Sequence, residues 1–149
     1  MTSFYVWLKF FHIAGLAMFM FGHGISGGAS FALRARPAGD VSRALLLLSV
    51  WSYGIAYPGL LVLIVTGVWM GFVGSWWGRT WIWAAIVLLV VVAGLMTFVS
   101  VPFHKARDSM NEGDSVLTGR LDQTRPALAA AIGTVGVAGI LFLMVFKPF

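Results

Sequence analysis

Residues 80–103 read TWIWAAIVLLVVVAGLMTFVSVPF, 24 positions without a charged side chain. About 20 mainly apolar residues in a helix cross the roughly 30 Å hydrocarbon core of a bilayer. This stretch therefore predicts a transmembrane helix. Three more stretches meet the same requirement, at about 4–33, 44–73 and 126–146. The chain as a whole agrees: 60% of its 149 residues are apolar or aromatic and 10% are charged, against about 25% charged in soluble domains. A soluble chain of this size would leave roughly a third of its unfolded surface wet. The expected fold is a single all-α membrane domain over residues 1–149, a four-transmembrane-helix bundle.

The connections support four spans. Residues 34–43 (RARPAGDVSR) are polar and carry Pro37 and Gly39, which punctuate helices. Residues 74–79 (GSWWGR) are too few to separate spans two and three, so these should be antiparallel neighbours. Residues 104–125 form the one long polar segment, with four acidic and four basic residues, expected as a solvated cytoplasmic loop holding at most a short helical turn. Pro126 suits the first turn of the last helix, where its missing N–H costs little. The first span lacks a basic region before it and exceeds a signal-peptide core, so it reads as a retained helix.

Lys and Arg counts in short loops set orientation. Arg34, Arg36, Arg43, Lys105, Arg107, Arg120 and Arg125 lie on one side; Lys9, Arg79 and Lys147 lie on the other. Seven against three places loops one and three in the cytoplasm and both termini outside. Trp7, Trp76, Trp77, Trp81 and Trp83 gather on the outer side as an interfacial aromatic belt. The net charge of +5 is distributed between apolar runs and not along a basic stripe with interleaved aromatics, so nucleic acid is not the expected partner. The lipid bilayer is, together with other membrane subunits or self-association.

The absence of cysteine removes thiolate catalysis, disulfides and iron–sulfur clusters. No Asp or Glu falls inside a span, which argues against a carboxylate-based pump or a paired-carboxylate enzyme. No catalytic constellation is visible. His12 and His23 stand out on span one. They are 11 residues apart, about 16 Å along the axis and within about 20° of one face, so both can point into the bundle. They are candidate ligands for haem b or polar contacts for a quinone, with Gly22, Gly24, Gly27 and Gly28 leaving room for a flat ring. The plainer reading is close helix packing through small pairs such as Gly24 and Gly28, with the histidines bonding between helices. Met18, Met20, Met70, Met96 and Met144 are available as a second axial ligand. His104 lies at the end of span three, too near the surface to share an iron with His23.

Pro58 should kink span two, and Tyr53 and Tyr57 near it are further candidates for a quinone site. Ala129, Gly133 and Gly136 make a small-residue stripe suited to close contact on span four, with Gly139 near it. Arg34, Arg36 and Arg43 could hold lipid phosphates, although fixing topology suffices to explain them.

Three stretches carry a family resemblance: LKFFHIAGLAMFMFGHGISGG at 8–28, PGLLVLIVTG at 58–67 and WWGRTWIW at 76–83. Together they resemble a family of small four-helix predicted bacterial integral membrane proteins of uncharacterised function. That family is loosely similar to the CopD membrane domain and to HemJ-type protoporphyrinogen oxidases. The resemblance implies a bundle in the bacterial inner membrane and, through the HemJ type, a b-type haem on membrane histidines, with His12 at the matching position. Three functions follow as expectations: an accessory or structural subunit of a larger respiratory or photosynthetic complex, a haem b- or quinone-binding electron-transfer protein using His12 and His23, or a small-solute or metal-ion permease.

Overall fold

The computed structural model describes residues 3–34 and 36–148; Ala35, in the first connection, lies outside them. The described residues are helical throughout their regular structure: α1 (Ser3–Leu33), α2 (Asp40–Trp51), α3 (Tyr53–Val73), α4 (Thr80–Asp108), α5 (Asp114–Leu121) and α6 (Pro126–Phe146). Four units are long and apolar enough to cross a membrane: α1, α2 with α3, α4, and α6. The four-span, all-helical expectation holds, because in lipid each backbone polar group must be satisfied inside its own segment.

Span two runs as α2 and α3 with Ser52 between them and Pro58 inside α3; Ser52 keeps helical backbone angles and its N–H bonds to the Leu48 carbonyl at 3.1 Å, so Asp40–Val73 crosses as one unit. Serine hydroxyls bond back onto the helix at this junction. Ser49 Oγ donates to the Leu46 carbonyl at 2.6 Å, and Ser52 Oγ donates to the Ser49 carbonyl at 2.8 Å. Such back-bonding competes with the helical ladder and bends it. Segment 104–125 is also more ordered than a solvated loop. α4 continues to Asp108, and α5 lays the buried Leu117 and Leu121 against the bundle.

The four spans form two antiparallel pairs, α1 with α3 and α4 with α6, and the pairs share far fewer contacts with each other than each makes internally. Glycines set the first pair. A Cβ at Gly15 would lie 2.8 Å from the Leu63 nitrogen, at Gly22 2.7 Å from the Ala56 nitrogen, and at Gly59 2.6 Å from the Phe19 nitrogen. Backbone meets backbone there, as small residues permit in membranes. Gly24 and Gly28, the pair expected to pack, have nothing within 4 Å of a built Cβ. The expectation for span four fits better: a Cβ on Gly136 would run into Val92, and one on Gly139 would come within 3.0 Å of Leu88.

The pairs are joined at their ends. At the loop end, Leu33, Leu46, Phe103, Ala106, Leu117 and Leu121 make one buried cluster from α1, α2, α4 and α5. Arg43 fastens this end: its Nε donates to the Met110 carbonyl at 2.9 Å, and Nη2 reaches the Asp114 carboxylate at 2.6 Å. At the terminal end, Trp76 meets Tyr5 of α1 edge-on and Trp81 of α4, and the Lys147 ammonium sits 4.3 Å from the Trp76 ring centre. Between these ends, no residue of α4 from 86 to 102 is buried.

Candidate functional site

Where the pairs part toward the loop end, a groove of about 290 Å³ opens between α1, α4 and the start of α6. Its α1 wall carries His23, Ser26 and Ser30, at helical spacings of three and four that put them on one face. Met96, Ser100 and Phe103 line the α4 side, and Arg125 and Thr134 the α6 side. Gly24, Gly27 and Gly28 also border it, and the space beside them is open. The His23 ring stacks on Phe19, with centroids 5.5 Å apart and planes 19° apart, and is exposed toward the groove.

His12 lies elsewhere. Its Nδ1 is 3.1 Å from Thr66 Oγ1 on α3, and Thr66 already donates its proton to the Val62 carbonyl at 2.6 Å. The threonine oxygen is therefore the acceptor, and His12 donates from Nδ1. Gly67 makes room for the ring, since a Cβ there would come within 3.0 Å of His12 Cε1. The two histidines share a direction on the helical wheel but not a site: one is held by α3, the other opens to α4 and α6. Thr66→Val should leave the His12 N–H without its partner and lower stability by about 1 kcal/mol. Reversible unfolding of both proteins in mixed micelles measures this; equal midpoints would mean the bond contributes nothing.

The polar centre beside the groove is one that hydropathy conceals. Arg107, near the end of α4, is 6% exposed. Its Nε donates to Ser49 Oγ at 2.8 Å, and Nη2 donates to Ser26 Oγ at 2.7 Å and to the Ser49 carbonyl at 3.3 Å. The guanidinium carbon lies 4.4 Å from the Tyr53 ring centre and 4.5 Å from that of Phe103. One side chain thus ties α1, α2, α3 and α4. Among the described residues no carboxylate lies within 4 Å of it, the one ion pair there being Arg43–Asp114. Sequence reading placed Arg107 in a solvated loop. The available signal was the spacing of Phe103, Ala106, Arg107 and Met110, which continues a helical face past the end of the apolar run.

Tyr53 belongs to this centre and not to a His12–His23 site. Its hydroxyl lies within hydrogen-bond distance of His104 Nδ1, 3.2 Å away; the Tyr57 ring is tilted 31° to it at 5.0 Å and is mostly exposed. Arg34 and Arg36 are exposed at the loop end. Arg43, grouped with them as a lipid-phosphate candidate, has its donors engaged by the α4–α5 connection.

Two polar features thus meet at the loop end: a histidine-bearing groove open on one side, and a buried cation that touches the groove wall through Ser26. No curated protein and no solved structure matches the chain. The family described as a predicted integral membrane protein (DUF2269) matches residues 6–148, and the chain belongs to that family.

Proposed function

We propose that this chain is a membrane-embedded binding subunit that holds a flat, amphiphilic redox cofactor, a quinone or haem b, in the groove between α1, α4 and α6. The groove carries the proposal: it places the His23 imidazole beside unfilled space along Gly24, Gly27 and Gly28. An imidazole can donate to a quinone carbonyl or bind haem iron through its free nitrogen. Thr66 holds His12 away from this space, so His23 acts as the single imidazole, and Met96 is the thioether on the facing wall. The groove, open on one side and about 290 Å³ in volume, falls just below the roughly 300–1,000 Å³ span of ligand sites. That size favours a single-ring quinone head over a macrocycle.

The test is chemical. Purified protein in mild detergent should carry extractable quinone near one per chain, and His23→Ala should lose it. His12→Ala should keep it. A Soret and α band after dithionite reduction would assign haem b in its place. Wild-type protein with neither quinone nor visible absorption would end the proposal.

We place the protein in a bacterial inner membrane with loops one and three in the cytoplasm, on the strength of seven basic residues against three. A reporter that is active only in the cytoplasm should be silent at the C-terminus and active when inserted after Glu112. The unburied stretch of α4 from 86 to 102 favours a second, compatible reading, an accessory subunit of a larger respiratory or photosynthetic complex. Native mass spectrometry should then recover a membrane partner; a stable, partner-free monomer counts against it.

A further inference from the structure

We propose that the ligand of this groove is an anionic amphiphile, and that Ser26, polarised by the buried Arg107 guanidinium, receives its charged oxygen. This rests on the groove being a ligand site, but not on its ligand being a quinone or haem. The hydrogen-bond and ring partners of Arg107 are neutral: two serine hydroxyls, a carbonyl, an imidazole and two aromatic faces, while the Asp108 carboxylate next in the chain lies beyond 4 Å and acts on it only through space. Those partners spread its charge without cancelling it. An ionisable side chain in such a place is costly and calls for a partner.

That partner must be reached through a group touching both the guanidinium and open space, and Ser26 is that group. Its Oγ accepts from Arg107 at 2.7 Å, and it lines the groove. Ser49 and Ser52 donate their own protons to carbonyls one turn back. Among the described residues the Ser26 proton has no acceptor. A hydroxyl that accepts from a cation becomes a stronger donor, because hydrogen bonds in series polarise one another. An oxyanion bonded to Ser26 would stand within about 5 Å of the guanidinium. Arg125 adds a second positive charge at the mouth, while Gly24, Met96 and Gly133 make the deeper wall apolar. A charged oxygen at Ser26 and a hydrophobic body beside the glycines describe a carboxylate or phosphate on an apolar chain. A fatty acid and an acidic phospholipid both present it.

The experiment uses the full-length protein in phosphatidylcholine nanodiscs, with equilibrium binding of oleate compared with oleyl alcohol. Oleate should bind about tenfold tighter or more, as a charge-assisted bond in place of a neutral one implies. Ser26→Ala should remove the preference by weakening oleate far more than oleyl alcohol. Arg107→Met, which keeps the volume, should do the same. A second arm adds phosphatidylglycerol: one molecule retained per chain in native mass spectra, and lost in Ser26→Ala, assigns the phosphate source; oleate preference alone assigns the carboxylate. Equal binding of oleate and oleyl alcohol with no retained phosphatidylglycerol overturns the proposal, as does a preference that survives both substitutions. A clear oleate preference in protein lacking quinone and haem would leave this inference standing and remove the cofactor reading. Bound cofactor without any anion preference would do the reverse.

Discussion

Arg107→Ala should destabilise the protein by about 3 kcal/mol, and Arg107→Met by less than half of that. Alanine removes two short hydrogen bonds, to Ser26 and Ser49, each worth about 1.5–3 kcal/mol when the donor is charged. It also removes two ring contacts, up to about 2 kcal/mol each when desolvated, and leaves a cavity. Relief of a buried, uncancelled cation opposes these losses and keeps the total well below their sum. Methionine gains the same relief while filling the space between Tyr53 and Phe103; Ser49 keeps its bond to the Leu46 carbonyl, and Ser26 can turn its hydroxyl to a helix carbonyl. Lysine should be intermediate, since a point charge cannot reproduce the fork that spans α1 and α2. Unfolding midpoints in mixed micelles give the order. Methionine as damaging as alanine would mean that the charge itself holds the helices together, and that Arg107 is structural cement with nothing to offer a ligand.

That distinction marks where sequence reading reaches and where it stops. The spans were legible because bilayer thickness imposes a length on every apolar run, and Thr80–Phe103 satisfies it without a charge. Pro126 announced the start of α6 for a similarly local reason. Arg107 was not legible as a core residue, because hydropathy averages it with Lys105 and Asp108 and places all three in water. Its burial depends on Ser26, Ser49 and Tyr53, which lie 81, 58 and 54 positions away. The histidines show the same limit. A helical wheel gives the direction in which His12 and His23 point, but not which helix stands there. α3 fills that direction at Thr66, whereas His23 opens to the groove lined by α4 and α6.

Glycines give the sharpest test of this architecture, because those at the α1–α3 contact and Gly24 beside the groove predict opposite outcomes. Gly59→Ala should weaken the fold by about 3 kcal/mol, near the top of the range for overpacking. The new methyl would sit 2.6 Å from the Phe19 nitrogen, 2.8 Å from Met18 Cβ and 2.9 Å from the Gly15 carbonyl. Two of these are backbone atoms, so no rotamer change can relieve them and α3 must move off α1. Gly22→Ala meets the Ala56 nitrogen at 2.7 Å and the Ser52 carbonyl at 2.8 Å, and should behave alike. Gly24→Ala, two residues along the same helix, meets nothing within 4 Å. It should stabilise by up to about 1 kcal/mol, the helix preference of alanine over glycine, while narrowing the groove and weakening whatever binds beside His23. Gly15 and Gly59 face each other reciprocally: a Cβ on either would lie 2.9 Å from the other's carbonyl. Once Gly59→Ala has displaced α3, Gly15→Ala has less to collide with, so the double variant should lose less than the sum of the singles. Strict additivity, or a Gly59→Ala protein as stable as wild type, would mean that the two helices are not held at glycine contact. The paired-helix frame that leaves the groove open would then need another cause.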